Sequence, residues 1–201
     1  MKRIEARELI RFMEMLHSLQ RVTRVMHVPG EERYENDLEH SYLLAMSVWY
    51  VIERYDLALD RDKAIRYALA HDVPEVHAGD TYVYSKDARV LSGKKKREEE
   101  ARKKLLSDFP SAPSIHEAME NYEHQTDPEA VFVRALDKVM PLVTNYLQEG
   151  RTIKSEGVCY TQIAELKRRT TKQCPEVYDV VEQLLALFDQ DRKRFFGENI
   201  H

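Results

Sequence analysis

Apolar residues recur every three to four positions through Ile4, Leu9, Ile10, Phe12, Met13, Leu16, Leu19 and Val22. The spacing predicts a first amphipathic helix, with the next break at Pro29-Gly30. Gly30 to Asp37 is polar and reads as a loop, after which Asn36 or Asp37 can cap a second helix with Leu43, Leu44, Val48, Val51 and Ile52 on its buried face. A third helix starts after Asp60, carries Ala64, Ile65, Ala68 and Leu69 toward His71, and is ended or bent by Pro74. The periodicity lapses between Gly79 and Gly93, which reads as a long loop. Lys94 to Phe109 alternates blocks of Lys, Arg and Glu and reads as a solvated helix with intrahelical ion pairs. A short helix follows over Ile115 to His124. Pro128 then opens a long helix whose Val131, Phe132, Ala135, Leu136, Val139, Met140, Leu142, Val143 and Leu147 cover more than one face, so this helix is central to the core. Helices over Tyr160 to Lys172 and Pro175 to Phe196 close the chain. With no repeat and no linker, the expectation is an all-α, compact multi-helix bundle forming one domain over residues 1–201.

Composition narrows the function classes. Charged residues make up 33% of the 201, with only 6 Gly and 7 Pro, which suits helices with solvated faces and disfavours a turn-dense sandwich or barrel. The formal net charge of −4 argues against a nucleic-acid polymer as partner. No apolar run approaches the ~18 residues of a membrane span, and Met1 to Phe12 carries no signal-peptide core. Cys159 and Cys174 are too few and too loosely spaced for a disulfide scaffold or zinc finger, and a free pair fits a reducing, cytoplasmic setting.

Chemistry is signalled by polar residues where the pattern predicts burial, because a carboxylate or imidazole facing a core is costly unless paired or bound to metal. Glu39-His40 opens the second helix, His71-Asp72 ends the third, and Asp137 interrupts the apolar run of the central helix. Singly, each has an ordinary explanation: a cap contact, a helix-dipole contact, or an ion pair with Lys138 or an arginine. Together, two imidazoles and two carboxylates make a mixed nitrogen and oxygen set suited to one divalent ion such as Co, Mn, Ni, Fe, Zn or Mg.

The order His40, His71-Asp72, Asp137 resembles the H…HD…D signature of the HD-domain metal-dependent phosphohydrolases. The segments Glu-His-Ser at 39–41, His-Asp-Val-Pro-Glu-Val-His-Ala-Gly-Asp at 71–80 and Ala-Leu-Asp-Lys at 135–138 are similar to its 5′-deoxyribonucleotidase branch. The resemblance implies that His40, His71, Asp72 and Asp137 are metal ligands, that Asp80 sits near the nucleoside sugar or the leaving 5′-oxygen, and that Arg21 contacts phosphate, with Lys86 a second candidate. Glu75, three residues past Asp72 and four past His71, falls on the ligand face if helical geometry resumes after Pro74, and is placed as general acid or base. Many relatives carry a tryptophan shortly after the arginine that Arg21 resembles, whereas Val22, Val25 and Met26 stand here, which puts deoxyribose preference in question. His77, His116 and His124 do not match the spacing of a second metal site. The reading is a phosphomonoesterase for nucleoside 5′-monophosphates, and the same resemblance implies a homodimer; the alternatives are an HD-type nucleoside-triphosphate or alarmone hydrolase, or a non-catalytic nucleotide-sensing helical module.

Overall fold

In this computed structural model, which describes residues 3–85 and 88–197 but not the side chains of 88–91, the first apolar stripe folds as α1 (Ala6–Leu19). Beyond Gln20 the chain turns into a hairpin that the helical spacing did not predict: β1 (Thr23–His27) pairs antiparallel with β2 (Tyr34–Asn36), Thr23 opposite Asn36 and His27 opposite Tyr34. The strands are too short for an alternation to show in the sequence. Gly30, at φ +81, supplies the left-handed residue that the connecting turn needs.

The hairpin delivers Asn36 to the start of α2 (Asp37–Arg54), where a full capping box forms. Asn36 Oδ1 accepts from the amides of Leu38 and Glu39, both at 3.1 Å, and Glu39 Oε2 accepts from the Asn36 amide at 3.1 Å. This fixes the first turn, which carries Asp37 and His40. Asp60 caps α3 (Arg61–Ala70) through the Lys63 amide at 3.0 Å. Pro74 bends the path without ending it. Tight turns, with the Val73 amide on Ala70 O at 3.2 Å and the Glu75 amide on Asp72 O at 2.9 Å, carry the chain into the single turn α4 (Glu75–Ala78).

The remaining helices are α5 (Ala88–Asp108), α6 (Pro113–His124), α7 (Pro128–Leu147), α8 (Arg151–Glu156), α9 (Tyr160–Thr171), α10 (Pro175–Gln190) and α11 (Arg192–Phe196). The solvated helix α5 begins six residues before Lys94 and is laced by Lys94–Glu98, Lys103–Glu99 and Lys104–Asp108 pairs, as its charge blocks predict. The closing helix is two: Asp191 Oδ1 accepts from the Arg194 amide at 3.2 Å, starting α11 and folding Phe195 and Phe196 back onto Phe188.

α7 is the central element, with Pro128 at its first turn, Asp127 capping the Ala130 amide at 2.9 Å, and neighbours α2, α3, α6, α9 and α10. Phe132, Val133, Val139 and Leu142 are fully covered, and one contiguous cluster of buried residues runs from Leu19 to Phe196. Not every apolar stripe joins it. Leu9, Ile10 and Met13 of α1 are exposed, as are Leu43 and Leu69, which the periodicity had assigned to buried faces. α1 packs on α2 and α4 and sets Phe12 against Phe109 just past α5, but its apolar stripe is wider than the surface it covers. Among the described residues no helix is long and apolar enough to cross a membrane, and Cys159 and Cys174 are both free thiols.

Candidate metal centre

The first turn of α2, the end of α3 and the middle of α7 converge. His40 and His71 are 2% and 8% exposed and Asp137 is 4% exposed, so all three lose their water shell. His40 Nε2 lies 2.9 Å from Asp137 Oδ1 and 4.0 Å from Asp72 Oδ2; His71 Nε2 lies 3.0 Å from Asp72 Oδ2 and 4.0 Å from Asp137 Oδ1. Donors about 2.1 Å from one ion stand about 3.0 Å apart when at right angles and about 4.2 Å apart when opposite. The spacings fit that arrangement better than the uniform ~3.4 Å of a tetrahedron built on the same bond length. Such a set leaves further positions for water and substrate.

His71 shows why the group needs a cation. Its Nδ1 is 2.8 Å from Ala68 O, a carbonyl that only accepts, so Nδ1 carries the proton and Nε2 presents a bare lone pair. That nitrogen is buried and has no hydrogen-bond partner, because the Asp72 oxygen 3.0 Å away is also an acceptor. Two lone pairs face each other at close range. The backbone carbonyl thus fixes the tautomer and aims the ligand atom, the usual outer-shell device at a metal-binding histidine.

The Asp137 side is rich in positive partners. Lys138 Nζ donates to Asp137 Oδ2 at 2.6 Å, and Tyr122 OH donates to the same oxygen at 3.4 Å. Burial alone would lift the Asp137 carboxyl, but Lys138 and the His40 hydrogen bond hold it well below the usual carboxylate range. For His40, burial and Arg24 oppose protonation; the hydrogen bond to Asp137 and the charge of Glu35, 3.6 Å from Nδ1, outweigh them and push the imidazole up to about 9 in the metal-free protein.

Beside this lies a second acidic group. Asp37, Asp72 and Glu75 bring one carboxylate oxygen each within 4.8 Å of the others. Burial, then the charges of neighbouring carboxylates, raises both Asp37 and Glu75 well above their ordinary values. Asp37 Oδ2 and Glu75 Oε2 are buried and have no hydrogen-bond partner among the described residues. Glu75 is 6% exposed and faces Asp72 and Asp37.

Asp80 lines the same cavity, which encloses about 610 Å³ and is walled by Val25, Met26, Tyr82, Tyr84 and the inner face of α9. The structure leaves Arg21 outside it. Arg21 is exposed, and its side chain reaches Ser18 Oγ at 3.5 Å; the hairpin instead carries Arg24 inward, onto Asp72 at 2.8 Å, Asp37 at 3.3 Å and Glu35 at 3.8 Å. Lys86 lies outside the described residues. His77, His116 and His124 turn to Asp108, the Phe109 carbonyl and Glu120, away from the site. Arg24, Glu35 and Asp37 were missed as site residues. Asp37 had a signal, since positions 37, 40, 41 and 44 share one helix face; Arg24 and Glu35 had none without the hairpin.

A buried ligand set on three helices of a bundle, with the order His, His-Asp, Asp, defines the class. A family model of the HD domain matches residues 14–178, and the chain belongs to that family. Among individual proteins, it is 33% identical over 136 residues to the human 5′-deoxynucleotidase HDDC2, covering 66% of this chain and 64% of that protein. It is 35% identical over 133 residues to the mouse protein of the same name, covering 65% and 64%. The chain thus spans a little under two thirds of the length of these relatives. Its fold is similar to a crystal structure described as a predicted metal-dependent phosphohydrolase from Magnetospirillum magnetotacticum MS-1, with a TM-score of 0.79, 25% identity and 94% of each chain covered.

Proposed function

We propose that the protein is a divalent-metal-dependent phosphohydrolase that removes the 5′-phosphate from nucleoside monophosphates, deoxynucleotides foremost. The observation that carries this reading is the buried, bare His71 Nε2 set among Asp72, His40 and Asp137, with a protonatable Glu75 beside it. The names of the human and mouse relatives support the substrate class. His40, His71, Asp72 and Asp137 would hold one ion, which when bound polarises a phosphoryl oxygen and makes water more acidic.

The protein's own groups supply the rest. Arg24 binds Asp72 and Asp37 and so offsets the carboxylate charge that would otherwise repel a phosphate dianion. Glu75 holds a proton at a carboxyl oxygen on the cavity wall and delivers it to the leaving 5′-alkoxide; Asp80 faces the sugar. Val25 and Met26 form an apolar wall on the nucleoside side. The exposed apolar side chains Leu9, Ile10 and Met13 of α1 and Tyr42, Met46 and Trp49 of α2 support a homodimer, since clustered apolar surface marks association sites. The free thiols support a cytoplasmic setting.

The test is a metal-by-substrate matrix. Protein stripped of metal should lose hydrolysis of nucleoside monophosphates and regain it with Co or Mn; no hydrolysis with any metal would overturn the reading. Release of pyrophosphate or triphosphate instead of orthophosphate would move it to the triphosphate or alarmone hydrolases. Sedimentation at micromolar concentration tests the dimer.

A further inference from the structure

The cavity is lined by basic side chains whose charge is largely taken up by carboxylates. Arg24 lies 2.8 Å from Asp72, Lys138 2.6 Å from Asp137, Arg102 3.1 Å from Glu120 and Arg134 3.3 Å from Glu123. Lys167, on the inner face of α9, is different. It is 4% exposed, and among the described residues no carboxylate lies within 4.0 Å of its ammonium. Among the described residues its one hydrogen bond goes to the Lys138 carbonyl at 2.6 Å, which leaves two N–H donors of a lysine ammonium without a partner there.

A buried cation without a counter-ion is unfavourable, and proteins seldom keep one that nothing approaches. Burial, followed by the charge of Lys138, pushes the Lys167 amine down to about 7. Its position says which part of a substrate would meet it. Lys138 O belongs to the residue next to Asp137, and the charges of both Asp137 and Arg24 act on the amine. Pro141, one turn further along α7, lacks the amide that would bond the Asp137 carbonyl, so the helix is loosened at this point. The amine therefore stands beside the metal-ligand end of the cavity, while Ile163 and Leu166 on the same helix present apolar wall.

We propose that Lys167 is a phosphate-binding residue, its free N–H groups receiving non-bridging oxygens of the substrate monophosphate and of the released inorganic phosphate. The proposal rests on the phosphohydrolase reading of the site. It assigns to α9 a part of the site that the H…HD…D signature does not include. A phosphate dianion supplies the missing counter-charge and holds the amine in its protonated form; charge-assisted hydrogen bonds of this kind are short and strong.

The test uses the Co- or Mn-loaded protein, with inorganic phosphate as inhibitor and two substrates, a deoxynucleoside 5′-monophosphate and p-nitrophenyl phosphate, which has neither sugar nor base. Lys167→Met should raise the inhibition constant of phosphate and the KM of both substrates about 10- to 100-fold, with metal content and melting temperature retained. In the unmodified protein, phosphate should slow reductive methylation of Lys167 with a half-effect concentration equal to its inhibition constant. An unchanged phosphate constant in folded Lys167→Met, a KM change for the nucleotide alone, or methylation of Lys167 indifferent to phosphate would each overturn the proposal. The methylation arm needs no variant and no turnover. A wild-type protein that hydrolyses no monophosphate with any metal overturns the phosphohydrolase reading instead, and the two failures are distinguishable.

Discussion

Asp137 and Glu75 are both buried carboxylates on the wall of one cavity, yet their surroundings drive them in opposite directions. Asp137 meets Lys138 at 2.6 Å, Tyr122 and His40, and stays ionised. Glu75 meets other carboxylates, Asp72, Asp37 and Asp80, and is pushed toward its protonated form. In the proposed chemistry the two acidic groups thereby take two roles, one as a ligand that keeps its charge and the other as a carrier of a proton. What separates them is the placement of cations, since burial raises both.

That contrast is open to direct attack. The largest effect is expected from Asp137→Ala, which removes a ligand and leaves His40 and Lys138 uncompensated: metal binding and hydrolysis should be lost, and stability should fall by about 3–5 kcal/mol by chemical denaturation. Glu75→Gln keeps the ligand set and the shape. Turnover should drop about 10²- to 10⁴-fold while metal content, read by elemental analysis, stays at the wild-type value. Full activity in this variant would remove Glu75 from the chemistry and favour a structural or sensing role for the site.

A smaller effect separates the two arginines. Arg24→Met releases Asp72 and Asp37 from their partner and should weaken metal affinity or activity about 10- to 100-fold, as loss of an outer-shell group does. Arg21→Met, at the surface, should leave both within about twofold in the same assay. An inverted result would return phosphate contact to Arg21.

The mildest test is pH. In the metal-free protein His40 is raised from 6.5 to about 9, so the folded state holds its proton more tightly than the unfolded chain does. The resulting stability is fully present below about pH 6.5 and is lost as pH rises through about 9, a change on the order of 3 kcal/mol. The raised Glu75 and Asp37 act in the same direction, losing stability as pH rises above the ordinary carboxylate range. Lys167, pushed down to about 7, acts the opposite way above pH 7, so the fall is read in chelated Lys167→Met, whose melting temperature should drop between pH 6.5 and 9. A saturating divalent ion replaces the His40 proton and should flatten that fall.

Much of the frame is legible in the chain itself. The apolar density around Asp137 announces a central helix, Asp60 and Pro128 mark helix starts by their chemistry, and the four proposed ligands stand out because a polar group where burial is expected needs a reason. The outward-facing stripe of α1, the break at Asp191 and the hairpin were not legible in the same way. Periodicity reports that a face is apolar, and says nothing of whether the chain itself covers it.

The sequence by itself determined the helical class and the central position of α7, and it singled out the four residues proposed as ligands, because those depend on residue types and spacing within single elements. Only the tertiary structure decided that Arg24 rather than Arg21 turns inward, that Asp37 and Glu75 crowd Asp72, that Glu35 backs His40, and that Lys167 enters the cavity from α9 with no carboxylate beside it among the described residues. These depend on distances between segments far apart in the chain. The electrostatic energy of a buried charge is set by such distances and by the exclusion of water, neither of which any local pattern encodes.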